Sequence, residues 1–177
     1  MSRTARICLV VLAVSIGTLQ ADVGNAQTAG NGCALEAVAG TGRQVLRCEE
    51  GLTVTAEGGA RFNLIDRNND GRVDGVALRN KAVLVDVDGS RIGTGFQVVT
   101  PQAVAAVRGT QWAVDVKGGV TAVLVVRGRV AVRRSAGGSN VFLGPGEGVD
   151  VSSGSEPLVV RRWPAPRAAA LLARLGQ

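Results

Sequence analysis

The fold is decided by residues 112–132, which read WAVDVKGGVTAVLVVRGRVAV. Glycine turns divide this stretch into three runs rich in valine, whose branched β-carbon favours strands over helices. In the first run Asp115 and Lys117 share one face, so we expect Trp112, on the opposite face, to point into a core. The second run, at residues 122–126, is apolar on both faces, which predicts a central strand rather than an edge.

The same pattern extends from this stretch towards both ends of the chain. Further short apolar runs, separated by glycine turns or polar loops, lie at residues 52–56, 62–65, 82–87, 96–99, 141–143 and 149–151. This spacing predicts an all-β chain of many short strands, arranged as a sandwich, a barrel or a solenoid. Residues 161–166 are expected to form a proline-punctuated linker, and residues 167–175, rich in Ala, Leu and Arg, a short helix. Such a helix is marginal alone, so it either docks through its leucines or frays.

The composition removes most classes of enzyme. The chain has 177 residues and no histidine, which excludes Ser-His-Asp and Cys-His catalysis, histidine-ligated zinc and haem. No carboxylate forms a recognisable motif with a nucleophile, so we expect a non-enzymatic protein. The net charge is +6, but most arginines alternate with apolar residues or lie beside Asp and Glu, as on solvated strand faces. This charge distribution argues against a nucleic-acid partner. So does the low aromatic content of 3%, which leaves few side chains on which bases could stack.

Residues 1–26 have the pattern of a secretory signal peptide. Two arginines precede a mostly apolar run at residues 7–19, and Gly24 and Ala26 place small side chains before a cleavage point at Gln27. The apolar run is shorter than the about 20 residues that a membrane-spanning helix needs, and an uncleaved membrane anchor is the alternative. The sequence therefore predicts a periplasmic or secreted protein with no transmembrane segment in the mature chain.

Cleavage of the signal peptide changes the cysteine count. It removes Cys8 and leaves Cys33 and Cys48 in a chain destined for an oxidising compartment. Both lie in a segment that reads as two short strands joined by a glycine turn, so we predict a disulfide between them. Closing a loop of this size stabilises a fold by about 3 kcal/mol in the chain-entropy model. The alternative, a metal-binding thiol pair, lacks two further ligands.

An acidic loop, DRNNDGRVD, occupies residues 66–74. Oxygen-bearing side chains stand at the alternating positions of a calcium-type loop, with a glycine for the sharp turn. These side chains are Asp66, Asn68, Asp70 and Asp74. An EF-hand is excluded, because Ala77 replaces the bidentate glutamate and neither flank has a helical pattern. The loop is then either a weaker calcium site between strands or an Asx-rich turn held by its own side chains, and calcium is the only cofactor that the sequence indicates.

One stretch is specific enough to indicate a family. Residues 100–114 read TPQAVAAVRGTQWAV and resemble the signature of the FecR domain family, a Thr-Pro and then an Arg-Gly-Thr followed by a large aromatic residue. The matching residues are Thr100, Pro101, Arg108, Gly109, Thr110 and Trp112. With the strands and glycine turns that follow, the resemblance covers residues 80–152. It implies a periplasmic sensing and protein-interaction module, best known in regulators of iron uptake.

The same motif has a direct physical interpretation as a corner between strands. Pro101 lacks an amide donor and suits the start of an edge strand, and Gly109 permits a backbone conformation that a side chain would block. The Thr110 hydroxyl and the Arg108 guanidinium can both hydrogen-bond such a corner. We therefore expect the motif to be architectural, and the alternative is an exposed recognition loop in which Arg108 faces a partner.

Four segments follow from these patterns. We expect a signal peptide (1–26), an N-terminal β segment with the disulfide and the acidic loop (27–79), the FecR-like β domain (80–152) and a basic tail with a short helix (153–177). The iron-uptake regulators also carry a cytoplasmic anti-sigma region and a membrane span. This sequence shows neither, so we expect the domain without the regulatory circuit, and a protein partner in the envelope. The alternative is a structural protein of the envelope, whose β scaffold is stabilised by calcium and has no signalling role.

Overall fold

A computed structural model describes residues 27–29, 32–49, 51–88, 95–107 and 109–177, with only the backbone of residues 27–29. The predicted signal peptide at 1–26 and the motif residue Arg108 lie outside the described residues. Within them, no helix is both long and apolar enough to span a membrane.

The described chain forms fourteen strands and one helix, so the all-β prediction with a short C-terminal helix is confirmed. The elements are β1 (Gln27–Ala29), β2 (Cys33–Ala37), β3 (Gln44–Cys48), β4 (Leu52–Ala56), β5 (Arg61–Ile65), β6 (Gly75–Val87), β7 (Phe96–Val99), β8 (Ala103–Val107), β9 (Gln111–Lys117), β10 (Val120–Arg127), β11 (Val130–Arg134), β12 (Gly137–Leu143), β13 (Glu147–Ser152), β14 (Arg161–Arg162) and α1 (Ala165–Arg174).

The strands form two sheets that share β6. The larger sheet has the order β1-β2-β3-β4-β6-β9-β10-β13-β14, and the smaller sheet has the order β5-β6-β7-β8-β11-β12. Neighbouring strands are antiparallel except β6 and β7, which are parallel. The first half of β6 pairs with β5 and β7, and the second half pairs with β4 and β9. Lys81, at the change of sheet, has a φ of 64°, and this left-handed conformation bends the strand so that it serves both sheets.

Side chains from both sheets fill one core between them. Trp112 of the larger sheet is fully buried, as the sequence predicts, and meets Phe96 of the smaller sheet edge-to-face with 6.1 Å between ring centroids. The prediction for residues 122–126 is also confirmed, because β10 lies between β9 and β13. Its two apolar faces have different neighbours: Val123 and Val125 belong to the core, whereas Leu124 faces the helix.

Helix α1 covers the outer face of the larger sheet. Leu171 and Leu175 are buried there, in a second apolar cluster whose sheet residues are Ala82, Leu84, Ala113 and Leu124. Fully burying a leucine contributes about 1.5–3 kcal/mol relative to leaving it exposed. The helix therefore docks through its leucines rather than fraying.

The linker prediction for residues 161–166 is wrong at both ends, because α1 begins at Ala165 rather than at residue 167 and the first residues form a strand. Arg161 and Arg162 form β14 against β13, and the N–H of Trp163 donates to the carbonyl of Gly146 at 3.0 Å. The cause is Trp163, which is buried in the cluster beneath the helix. Gly148 makes room for it, since a β-carbon at that position would overlap the indole ring.

Two strands differ from the sequence pattern. The sequence interpretation of Pro101 as the start of an edge strand or a corner differs from the structure, because the strand that follows it, β8, lies between β7 and β11. Strand β6 begins at Gly75 rather than at residue 82, and it runs through residues 79 and 80, where the boundary between two segments was expected.

Candidate functional site

The family-motif residues lie around the two ends of β8 rather than at a single site. Thr100 and Pro101 lie in the β7–β8 hairpin of the smaller sheet, before β8 begins. Gly109 and Thr110 follow β8, on the link that carries the chain to β9 of the larger sheet. The motif therefore spans one hairpin and one crossing between the sheets, with Trp112 in the core beyond the crossing.

The first of these places is a buried hydroxyl pair. The hydroxyl oxygens of Thr100 and Thr121 lie 2.8 Å apart, and the hydroxyl of Thr121 donates to the amide oxygen of Gln102 at 2.9 Å. Thr100 also accepts the N–H of Ala103 at 2.9 Å, which closes the turn before β8. Because Thr121 belongs to β10, these bonds tie the hairpin of the smaller sheet to the larger sheet, whereas Pro101 is exposed.

At the second place, the two segments that connect the sheets contact each other; we call these segments crossings. The chain passes to the larger sheet through Gly109 and Thr110, and it returns to the smaller sheet through Gly128 and Arg129. The fully buried Thr110 hydroxyl donates to the carbonyl of Arg129 at 3.3 Å. Gly109 and Gly128 have φ values of 64° and 85°, in the left-handed region that favours glycine. A β-carbon at Gly128 would lie 2.8 Å from the carbonyl oxygen of Gly109, so the contact has no room for one.

A groove of about 590 Å³ opens beside this second place. Gly51, Thr53, Val87, Asp86, Asp88, Gly109 and Arg127 line it. The Asp86 carboxylate is already engaged, because it accepts bonds from Arg127 at 2.8 Å and from the side chain of Gln111 at 3.0 Å. Two of the charged side chains that line the groove, Asp86 and Arg127, are therefore paired with each other.

The acidic loop is held by its own hydrogen bonds. The Asp66 carboxylate accepts the N–H of Gly71 at 3.0 Å, and the Asp70 carboxylate accepts the N–H of Arg72 at 2.8 Å and the side-chain amide of Asn68 at 2.9 Å. These are the bonds of an Asx-rich turn. The second oxygen of Asp66 is buried and has no hydrogen-bond partner.

Asp74 lies apart from the turn, at the entry to β6. Its carboxylate is buried and accepts the N–H of Arg67 at 2.9 Å, with the guanidinium of the same arginine 3.7 Å away. Across the described residues, no three acidic, histidine or cysteine side chains lie close enough together to hold a metal. Calcium binding by the loop stays a prediction.

The disulfide between Cys33 and Cys48 is present. The two residues are directly opposite each other in the β2–β3 pair, with their α-carbons 4.1 Å apart. The bond therefore staples the two strands that precede β4 in the larger sheet.

The sequence gives no sign of an ion cluster that fixes the helix. The guanidinium of Arg174 contacts both oxygens of Asp115, at 2.7 and 3.0 Å, and both oxygens of Glu57, at 2.5 and 3.2 Å. These hydrogen bonds, first to Asp115 and then to Glu57, raise the pKa of Arg174 above its ordinary value. The partners are 59 and 117 residues away in the chain, so no local spacing could indicate the cluster.

Known proteins provide an independent comparison. Two crystal structures of a candidate anti-sigma factor from Parabacteroides distasonis, at 2.50 and 1.65 Å resolution, have TM-scores of 0.57 and 0.58 with this chain. Each is 21% identical in sequence, and the alignments cover 75% of this chain and 61% of theirs, so the likeness concerns the fold alone. No curated protein matches the sequence.

The family comparison covers more than half of the chain. The model of the family described as FecR protein matches residues 34–131, a span that begins and ends earlier than the expected 80–152. It takes in β3 to β10 and all of β2 except Cys33, and it includes the acidic loop and the whole motif at 100–114. The chain belongs to the FecR protein family.

Proposed function

We propose that this protein is a non-enzymatic module of the cell envelope that works in signalling by binding a protein partner. The observation that carries the proposal is the family match over residues 34–131. Membership in this family supports a role in sensing rather than in catalysis. The link to iron uptake and the periplasmic location are finer parts of the same proposal.

The geometry of the motif supports binding by outer surfaces. Thr110 and Trp112 are fully buried, and the Thr100 hydroxyl is occupied by buried partners. These side chains hold the two sheets together, so they are not free to contact a partner. Recognition then falls to the exposed strands, edges and grooves around this scaffold.

The signal-peptide pattern and the disulfide support the location. The pattern at residues 1–26 is that of an exported chain. A Cys33–Cys48 bond persists in an oxidising compartment, such as the periplasm, and not in a reducing cytosol.

Chemical cross-linking in intact cells tests the proposal. We expect the exported chain to capture one protein reproducibly and in stoichiometric amount, with a yield that changes when the cells are starved of iron. A matched control carries Arg3→Glu and Arg6→Glu, which remove the positive region of the predicted signal peptide and should abolish capture. A chain that reaches the envelope and captures no protein would favour the alternative, a structural envelope protein stabilised by calcium.

A further inference from the structure

The edges of the two sheets are unequally protected. An edge strand presents unpaired N–H and C=O groups, and proteins usually blunt such edges with charges, proline or shortness. In the described chain, the edges of the larger sheet are the three-residue β1 and the two-residue, doubly charged β14. The edges of the smaller sheet are β5, which carries the exposed Arg61, and β12. Strand β12 has seven residues with no charge and no proline, and it pairs only with β11.

The outward side of β12 carries one large apolar side chain, near its C-terminal end. Leu143 is buried in the core, whereas its neighbour Phe142 points outward and is 60% exposed. Phe142 lies opposite Ala131 of β11, which lies opposite Ala106 of β8. This row of apolar side chains runs from β8 over β11 to the open edge at β12. A strand added to β12 would continue the row with a residue beside Phe142.

Positive charge flanks the row. Arg129 lies just before β11 and is exposed, and Arg133 lies on β11, two residues after Ala131, and is half-buried. Neither arginine forms an ion pair with a carboxylate within the described part of the chain. The sequence contains no Asp or Glu between Asp115 and Glu147. The chemistry that complements this edge is therefore an extended segment with an apolar centre and acidic flanks.

We propose that β12 is the edge on which the protein partner docks, by adding an extended segment as a further strand of the smaller sheet. An apolar side chain of that segment packs beside Phe142, and acidic side chains on both flanks face Arg129 and Arg133. Backbone hydrogen bonds supply the attachment, while the apolar and acidic positions supply the selectivity. The inference rests on the proposed function and names the surface and the class of partner for it.

Amide hydrogen exchange with synthetic peptides tests the surface. The first probe is a short strand-forming peptide with valines at alternate central positions and Asp at both ends; the second has Lys in place of Asp. We expect the Asp-flanked peptide to protect the amides of residues 137–143 from exchange and to bind at least about tenfold more tightly than the Lys-flanked peptide. Phe142→Glu and Arg129→Glu should each weaken binding by a similar factor, because both replace a complementary group with a like charge. Arg61→Glu, on the opposite edge of the smaller sheet, is the matched control and should bind as the wild type does.

Each contrary result points to a different conclusion. No protection of β12 at peptide concentrations up to about 1 mM, or equal binding of both peptides, would overturn the inference. A concentration-dependent dimer that Phe142→Glu abolishes would assign the edge to a second copy of the chain instead. A partner captured in cells equally well by the wild type and by Phe142→Glu would leave the proposed function standing and place the interface elsewhere. Urea unfolding of every variant confirms that loss of binding is not loss of fold.

Discussion

The conformations of Gly109 and Gly128 explain the glycine of the Gly-Thr in the family motif and the second glycine 19 residues later. Each glycine stands where the chain crosses from one sheet to the other, and each has a positive φ. The two crossings touch, because Thr110 donates to the carbonyl of Arg129 and Gly128 approaches the carbonyl of Gly109. The motif therefore maintains a contact between crossings, and both glycines are needed for it.

Replacing Gly128 with alanine should destabilise the fold by about 3 kcal/mol, because the new β-carbon meets backbone in addition to the strained φ. Gly118→Ala is the matched control: its φ is 58°, but a β-carbon there has nothing within 4 Å, so the cost should be about 1 kcal/mol. Urea unfolding of both variants measures the difference. Equal losses would mean that the crossings adjust to admit a side chain.

The acidic loop gives a second test at a single side chain. Asp66→Ala removes the acceptor for the N–H of Gly71, so it should lower the free energy of unfolding by about 1–2 kcal/mol even in EDTA. If the loop also binds calcium, millimolar calcium should raise the thermal midpoint of the wild type and not that of the variant. An unchanged midpoint for Asp66→Ala in EDTA would show that the bond to Gly71 contributes nothing.

Some of these roles were predictable from the sequence and others were not. The alternation of Asp115 and Lys117 against Trp112 is local, so it predicts the burial of the tryptophan correctly. The need for glycine at 128 comes from the carbonyl of Gly109, which only the pairing of distant strands brings close. The Thr100–Thr121 pair escapes sequence reasoning for the same reason.

Helix α1 and Trp163, which precedes it, together cover the outer face of the larger sheet. Leu171, Leu175 and Trp163 pack against the outer face of the sheet. At the C-terminal end of the helix, Arg174 bridges Asp115 and Glu57. The alanine and leucine content predicts the helix, but it cannot decide between docking and fraying, because that depends on the apolar outer face of β6, β9 and β10. The two-residue β14 likewise depends on the burial of Trp163 and not on its own sequence.

Arg174→Gln should cost about 1–3 kcal/mol, because it leaves the largely buried Asp115 without this cation and leaves Glu57 with only the longer contact to Lys81 at 3.8 Å. Arg47→Gln removes an exposed ion pair with Glu36 at 3.6 Å and should cost less than about 1 kcal/mol. The folded-state pKa of Arg174 lies above the unfolded value, so its contribution is complete below the unfolded pKa and is lost only as the pH rises above it. The loss caused by Arg174→Gln should therefore be the same at about pH 6 and about pH 9. Chemical unfolding at both pH values measures it, and a loss that disappears at the higher pH would contradict the assignment.

Taken together, the two sheets form one body because β6 belongs to both. The N-terminal strands β2 and β3 join the larger sheet through β4, on the opposite side of β6 from β10 and β13. Their attachment to each other is covalent as well as hydrogen-bonded, since Cys33 and Cys48 face each other across the pair. The all-β class and the disulfide were predictable from alternation and cysteine count, whereas the sharing of one strand between sheets was not, because the bend at Lys81 lies within an ordinary strand pattern.

The disulfide and the cleavage of the signal peptide can be tested together on the exported protein. Purified from the periplasm, the protein should have the mass of a chain that begins near Gln27, and alkylation of the unfolded, non-reduced protein should label neither Cys33 nor Cys48. The double substitution Cys33→Ser with Cys48→Ser should lower the free energy of unfolding by about 3 kcal/mol, since it frees a closed loop of that size in the unfolded chain. Cys8→Ser is the matched control: a residue removed with the signal peptide cannot alter the mass, the labelling or the stability of the mature protein. A labelled thiol in the wild-type protein would contradict the disulfide, which would then no longer support a location in the envelope. A full-length chain retained in the membrane would contradict cleavage of the signal peptide.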